Sequence, residues 1–331
     1  MRRFTVSHPD RGHRRRAPRA GIVRCAALVA LSLSGCAASS PPTASGPARL
    51  HTYVSAETGI FANAYILETQ RGLMVVDATL TVSDARRLRS RVDALGKPLL
   101  AVFITHGHPD HYNGLTELLA GRPPVPVHAT HATNRTIRDW DARKERQWRP
   151  VFGAEWPVSR TFPSHTVGDG ETVTVDQVTF TAHDLGPGEC HHDSYWVARH
   201  AGRSDVFIGD LVFSGEHSYV SDGHTTQWLA SLERLRRSLP RDARLHPGHG
   251  PAGGVELLDA QARYLNRYRA EVARIAQGRP RLSDTEKAEL VSAMSGYLRS
   301  AKLTFLIAAG ADAVAAELAA GAGNTGHGAM R

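Results

Sequence analysis

The sequence predicts an α/β protein with two β-layers and helices packed outside them. Two observations carry this. Short runs rich in β-branched and aromatic residues come first, a helix and further strands follow, and helices dominate the end of the chain. The segment densest in metal donors, Thr105-His106-Gly107-His108-Pro109-Asp110-His111, directly follows the apolar run Leu99-Leu100-Ala101-Val102-Phe103-Ile104, which reads as a strand buried on both faces. A polar loop projecting from the end of a central strand is where α/β proteins place their chemistry.

In chain order, residues 51–56, 62–68 and 72–76 read as strands separated by Gly and polar turns. Residues 83–95 bring Ala85, Leu88, Val92 and Leu95 to helical spacing. After the strand at 99–104 come a helix at 113–120 and a strand at 125–128. Residues 134–150 are polar and basic and carry Trp140 and Trp148. Gly168-Asp169-Gly170-Glu171 turns into strands at 172–175 and 177–182, and 194–198 and 205–208 add two more. Residues 225–238 set Trp228, Leu232 and Leu235 on one helical face, and 255–276 make a longer amphipathic helix through Leu258, Leu265, Tyr268, Val272 and Ile275. Ser283 and Glu286 form a capping box that opens a further helix. A last helix is expected over 311–320, and the Gly/Ala-rich residues 319–331 read as frayed.

A length of 331 residues supports one large domain or two small ones. The formal charge of +8 suggests a nucleic-acid partner, but eight Arg against one Asp within residues 1–36 leave the rest of the chain at +1. A near-neutral body has no broad attraction for phosphate backbones, so none is expected. The leader pairs its Arg-rich start with a short apolar run at residues 25–33, far below the ~20 residues that span a bilayer. Leu33-Ser34-Gly35-Cys36 resembles the lipobox of bacterial lipoproteins, which implies export to the periplasm or cell surface and a membrane anchor through a lipid on Cys36. The expected division is therefore a signal over 1–36, a tether over 37–50, a main domain over 51–278 and a helical extension with a frayed tail over 279–331. With Cys25 and Cys36 spent in the leader, Cys190 has no partner for an intramolecular disulfide.

Imidazole and carboxylate are ligands that zinc favours, and three His and one Asp within six positions mark a metal loop. One loop cannot close a metal shell, and three later clusters offer the remaining donors. Gly186-Pro187-Gly188-Glu189-Cys190-His191-His192-Asp193 can complete a three-imidazole set with His106 and His108 through His191 or His192, and we take His191. Cys190 reads as a small buried thiol. Ile208-Gly209-Asp210 offers a carboxylate at a strand end, able to bridge two cations. His246-Pro247-Gly248-His249-Gly250 places His249 between glycines, where close approach to an ion is easy. Asp77, after the strand at 72–76, suits the orienting of a ligand His.

Asp77, His106-x-His108-x-Asp110-His111, a His after Gly-Pro-Gly, Gly209-Asp210 and Gly248-His249-Gly250, in this order, resemble the metallo-β-lactamase superfamily over roughly residues 51 to 275. The resemblance implies a four-layer αββα sandwich with a metal centre at one edge of the two sheets. It also implies two zinc ions, one on His106, His108 and His191, the other on Asp110, His111 and His249, with Asp210 between them. One departure stands out: Glu189 and Cys190 intervene before His191, so that His comes two residues late. A bridging Asp210 is closer to the glyoxalase II and lactonase branches than to the best-known β-lactamases.

The function implied is a hydrolase in which metal-bound hydroxide attacks the carbonyl of a small-molecule lactone, thioester, ester or β-lactam, with Asp110 holding the nucleophile. A β-lactamase proper, an iron oxidoreductase such as a persulfide dioxygenase, and a non-catalytic binding protein are the alternatives. For the substrate wall, Trp140, Trp148 and Trp156 among several Arg suit an amphiphilic or anionic ligand, or else pack into the core. Tyr219 reads as structural or as an oxyanion donor, and Glu216 and His217 have no assigned task.

Overall fold

The computed structural model describes residues 48–326. The leader with Cys36 and nearly all of the tether lie outside the described residues. The first sheet is built from β1 (Arg49–Val54), β2 (Asn63–Glu68), β3 (Leu73–Val76), β4 (Leu99–Phe103), β5 (Val127–Thr130) and β6 (His165–Val167), side by side in that order. Its first three strands are antiparallel; β3 through β6 run parallel. Parallel strands need crossovers, and the helices α1 (Val82–Ala94), α2 (Pro109–Tyr112), α3 (Leu115–Leu119) and α4 (His131–Phe152) lie in those connections. The second sheet has the order β11-β10-β9-β8-β7: β7 (Thr172–Val175), β8 (Val178–Gly186), β9 (Asp193–His200), β10 (Arg203–Phe213) and β11 (Arg244–His249). All its pairings are antiparallel except β10 with β11, which are joined through α5 (Thr225–Ser238). Then come α6 (Glu256–Ala276), α7 (Asp284–Tyr297) and α8 (Phe305–Gly326).

Strand periodicity sorts the side chains into layers. Tyr65, Leu67, Met74, Val76 and Phe103 face Phe180, Trp196 and Phe207 between the sheets. The alternate residues Ile66, Val75 and Val102 pack outward on Leu88, Val92, Leu115 and Ile137 of the first helical layer. On the far side Val206 and Ile208 meet Trp228, Leu232, Leu265 and Tyr268. Three apolar seams separate four layers, helix, sheet, sheet, helix, as the motif resemblance implied. Leu290, Met294, Ile307 and Val314 of α7 and α8 join the same outer seam as α5 and α6, so the C-terminal helices extend that layer. Among the described residues no helix is long and apolar enough to cross a membrane.

Several elements differ from the sequence expectation. The basic, Trp-bearing segment is a 22-residue helix, capped by Thr130 accepting from the Thr133 amide. The strand β6 is only three residues long, and β11 carries two His and a Pro, which hid them. The last helix begins at Phe305 and continues to Gly326, through residues expected to fray. The capping box at Ser283 and Glu286 forms as expected.

Candidate metal centre

The loop after β4 delivers His106 and His108, and Pro109 starts the single turn α2, which turns Asp110 and His111 towards the same space. A Cβ at Gly114 would lie 1.8 Å from the Ala78 carbonyl oxygen, so glycine there lets this loop close against the segment after β3. Asp210 lies inside β10, not at its end. Gly209 has φ +56° and the pairing with β11 slips on both sides of it, a bulge that aims the carboxylate at the loop. Gly248 completes the cradle: a Cβ there would stand 1.8 Å from Asp210 Oδ1 and 2.8 Å from His111 Cε1.

Two clusters result, and all their members are buried. In the first, Glu189 Oε2 is 2.9 Å from His108 Nδ1 and 3.5 Å from His106 Nε2. In the second, Asp110 Oδ2 is 3.1 Å from His249 Nε2 and 3.3 Å from His111 Nε2. Asp210 lies between them, with Oδ1 3.3 Å from His111 Nε2 and Oδ2 3.3 Å from His249 Nε2 and 3.9 Å from His106 Nε2. Yet His106 Nε2, His111 Nε2, both Glu189 oxygens and Asp210 Oδ1 have no hydrogen-bond partner. Buried polar atoms are ordinarily paired, and unpaired donors and acceptors converging on one space fit cations.

Each imidazole is held from behind. Asp77 accepts from the Thr105 amide at 2.9 Å and the Thr105 hydroxyl at 2.8 Å, and its Oδ2 is 2.8 Å from His111 Nδ1. With the proton on Nδ1, His111 presents a bare Nε2 to the centre. Thr105 Oγ1 is 3.1 Å from His106 Nδ1, and Asp222 Oδ2 is 3.1 Å from His108 Nε2. Asp222 also accepts from the Tyr219 hydroxyl at 3.1 Å. The His249 ring stacks on Phe213 with centroids 4.9 Å apart.

Electrostatics match a site that exchanges protons for ions. Burial would raise the Asp110 carboxyl, but His111 and His249 outweigh it and hold it well below the usual carboxylate range. Burial opposes charge on His108 and His249, yet facing carboxylates, Glu189 for the first and Asp210 for the second, push both up to about 10. Glu189 is pushed up to about 8 by burial, against the pull of His108. Bound protons stand where ions would compete for the same lone pairs.

Six of the seven expected ligands, His106, His108, Asp110, His111, Asp210 and His249, converge here. His191 does not join them, and Glu189 takes its place. The turn Gly186-Pro187-Gly188 aims the very next residue inward, so the side chain two positions later turns outward. His191 lies tilted against the Trp140 ring with centroids 3.9 Å apart, its Nδ1 is 2.9 Å from His224 Nε2, and its side chain is 26% exposed. The immediate succession Gly188-Glu189 is the sequence signal for this candidate donor. Asp222, 114 residues from His108, had none. Cys190 is a buried thiol whose Sγ lies 3.1 Å from the His192 carbonyl oxygen, and His246 pairs with Asp205 at 2.8 Å, away from the centre.

The class is fixed by the family model that this chain matches over residues 58–255, described as the metallo-beta-lactamase superfamily. The chain belongs to that superfamily. Among individual relatives it is similar to a hydroxyacylglutathione hydrolase of Xylella fastidiosa, 28% identical over 57% of this chain and 60% of that protein. It thus spans about 60% of the length of the curated relatives it matches. A beta-lactamase domain protein from Burkholderia ambifaria has the same fold, with a TM-score of 0.61 at 21% identity, over 86% of this chain and 92% of that one. Another solved structure, of a protein in a di-iron-bound form, is 26% identical with a TM-score of 0.50, over 64% of this chain and 98% of that one.

Proposed function

We propose that this protein is a metal-dependent hydrolase of carbonyl compounds, working with two zinc ions. The observation that carries the reading is the convergence of unpaired His106 Nε2, His111 Nε2, Glu189 and Asp210 Oδ1 on one buried space. His106, His108 and Glu189 would hold one ion; Asp110, His111 and His249 the other; Asp210 would serve both. When bound, such ions supply water deprotonated near neutral pH and a Lewis acid that polarises a carbonyl. The chain's own residues do the rest. Asp77, Thr105 and Asp222 fix the tautomers and ring orientations of His111, His106 and His108. Asp110 lines the cleft and would hold and orient the attacking water. Water adds to the carbonyl carbon, the bond to the ester, thioester or amide leaving group breaks, and the leaving group departs with a proton. Both donor clusters are complete, which favours two ions over a one-iron oxidoreductase.

The deciding experiment combines metal analysis of the full chain, purified without added metal, with hydrolysis of nitrocefin, a homoserine lactone and a glutathione thioester. Two zinc ions per chain, and hydrolysis lost in His108→Ala and Asp110→Ala, are expected. A single iron, or hydrolysis untouched by both substitutions, would overturn the reading. We further propose export and anchoring through Cys36, supported by the basic leader and Leu33-Ser34-Gly35-Cys36. Cys36→Ser should then move the protein from the membrane pellet to the soluble fraction.

A further inference from the structure

The cleft above the two clusters opens to solvent, and its empty space is ≈ 550 Å³ with open solvent included. Its walls are apolar: Ile60 before β2, Trp148 and Phe152 from the end of α4, Phe213 at the end of β10, and Phe305 and Leu306 at the start of α8. Phe305 is 52% exposed, a large aromatic face left open to solvent beside the mouth. Such a surface gains by covering with apolar matter.

Fixed positive charge on the lining is sparse. Lys144 is the only Lys or Arg among the described lining residues. It is buried, with Nζ 3.5 Å from Asp222 Oδ1 and 3.4 Å from the Tyr219 hydroxyl. Three arginines of α4 are engaged elsewhere: Arg138 lies over the Phe162 ring at 5.1 Å, Arg143 lies over the Trp140 ring at 4.8 Å and Arg149 pairs with Glu145 at 2.6 Å. Glu189 adds to this. Two divalent cations, if held by Glu189, Asp110 and Asp210, would retain one unit of positive charge, where an imidazole at position 189 would leave two. The centre therefore pulls less on anions than an all-imidazole first cluster would.

We propose that the cleft receives an uncharged, apolar acyl group, so that the preferred substrates are neutral esters or lactones with an aliphatic or aromatic acyl part rather than charged conjugates such as a glutathione thioester. This rests on the hydrolase reading and names its substrate class. Trp148, Phe152, Phe213 and Phe305 hold the acyl chain, and the carbonyl reaches the metal clusters at the cleft floor.

The full-length zinc-loaded protein is assayed on p-nitrophenyl esters from acetate to octanoate and on S-lactoylglutathione. Binding is read separately, from Trp148 fluorescence with 2-alkanones of increasing length, which are neutral and cannot be hydrolysed, using Trp148→Phe as the control. We expect kcat/KM and alkanone affinity to rise about threefold to fourfold per added methylene until the cleft is filled. Phe305→Ser, at a half-exposed position that does not support the core, should cost about tenfold on the longest ester and flatten this slope. The thioester should be the poorest substrate. Flat chain-length dependence, or preference for the thioester, overturns the inference while leaving the hydrolase reading intact. Length-dependent alkanone binding with no hydrolysis of any carbonyl compound supports the apolar cleft and overturns the hydrolase reading alone.

Discussion

Asp77→Asn tests how the second donor cluster is built. The change preserves shape and removes one charge. In the native protein Asp77 Oδ2 is 2.8 Å from His111 Nδ1, and the carboxylate accepts two further hydrogen bonds from Thr105, at 2.9 Å and 2.8 Å. A carboxylate can only accept, so His111 must carry its proton on Nδ1 and offer Nε2 to a cation. An amide cannot satisfy all three donors with its single oxygen. If that oxygen keeps the Thr105 amide, the NH2 faces His111 Nδ1 and favours the other tautomer, with the proton on Nε2. The loss of one charge-assisted hydrogen bond is worth about 1.5–3 kcal/mol, which is roughly 10- to 100-fold in affinity. Chelator competition followed by metal analysis should show one ion weakened by that factor and the other, near His106, His108 and Glu189, retained more tightly. Two ions bound as in the native protein, with unchanged affinities, would refute both the tautomer assignment and the supporting role of Asp77.

Two other substitutions probe geometry and pH. Gly248→Ala places a methyl group 1.8 Å from Asp210 Oδ1, so β11 or the Asp210 side chain must move. Overpacking of this kind costs about 1–3 kcal/mol, so a lower urea midpoint and the loss of about one bound ion per chain are expected. Burial, reinforced by His165, holds His128 neutral down to about 4. The unfolded chain takes up that proton near pH 6.5, so His128's contribution is complete above 6.5 and is lost as pH falls towards 4. The fall in urea midpoint from pH 7 to pH 5 should be smaller in His128→Gln; an equal fall in the two proteins would assign the acid sensitivity to other groups.

The residues that were legible in the sequence share a property: their neighbours in sequence are also their neighbours in the site. His106, His108, Asp110 and His111 come from one strand end and one helical turn, so their spacing alone revealed them. Asp210 and His249 were readable because Gly209 and Gly248 mark places where backbone must come close. Glu189 is masked in the sequence because Cys190-His191-His192 offer more familiar ligand types, although the Gly-Pro-Gly turn aims the next residue at the two clusters. Lys144 and Asp222 lie on α4 and on the segment before α5 and meet only after the layers pack, and no local pattern joins them. Helix α4 was obscured by its charge: its buried face is narrow, carried by Thr133, Ile137, Asp141 and Lys144.

The first sheet also grips the turn that carries His249. Asn63 Nδ2 donates to the Pro247 and Gly250 carbonyl oxygens at 2.9 Å and 2.7 Å, and the Tyr65 hydroxyl reaches Pro247 at 2.6 Å. Residues 182 to 187 positions apart thus close one ring around the site. A chain emerging from the ribosome must hold β2 in waiting until β11 has been made, and its second donor cluster stays incomplete before then. Loops closed over such distances form slowly. Metal capture therefore becomes a late event in the protein's biogenesis, a report that both halves have already found each other.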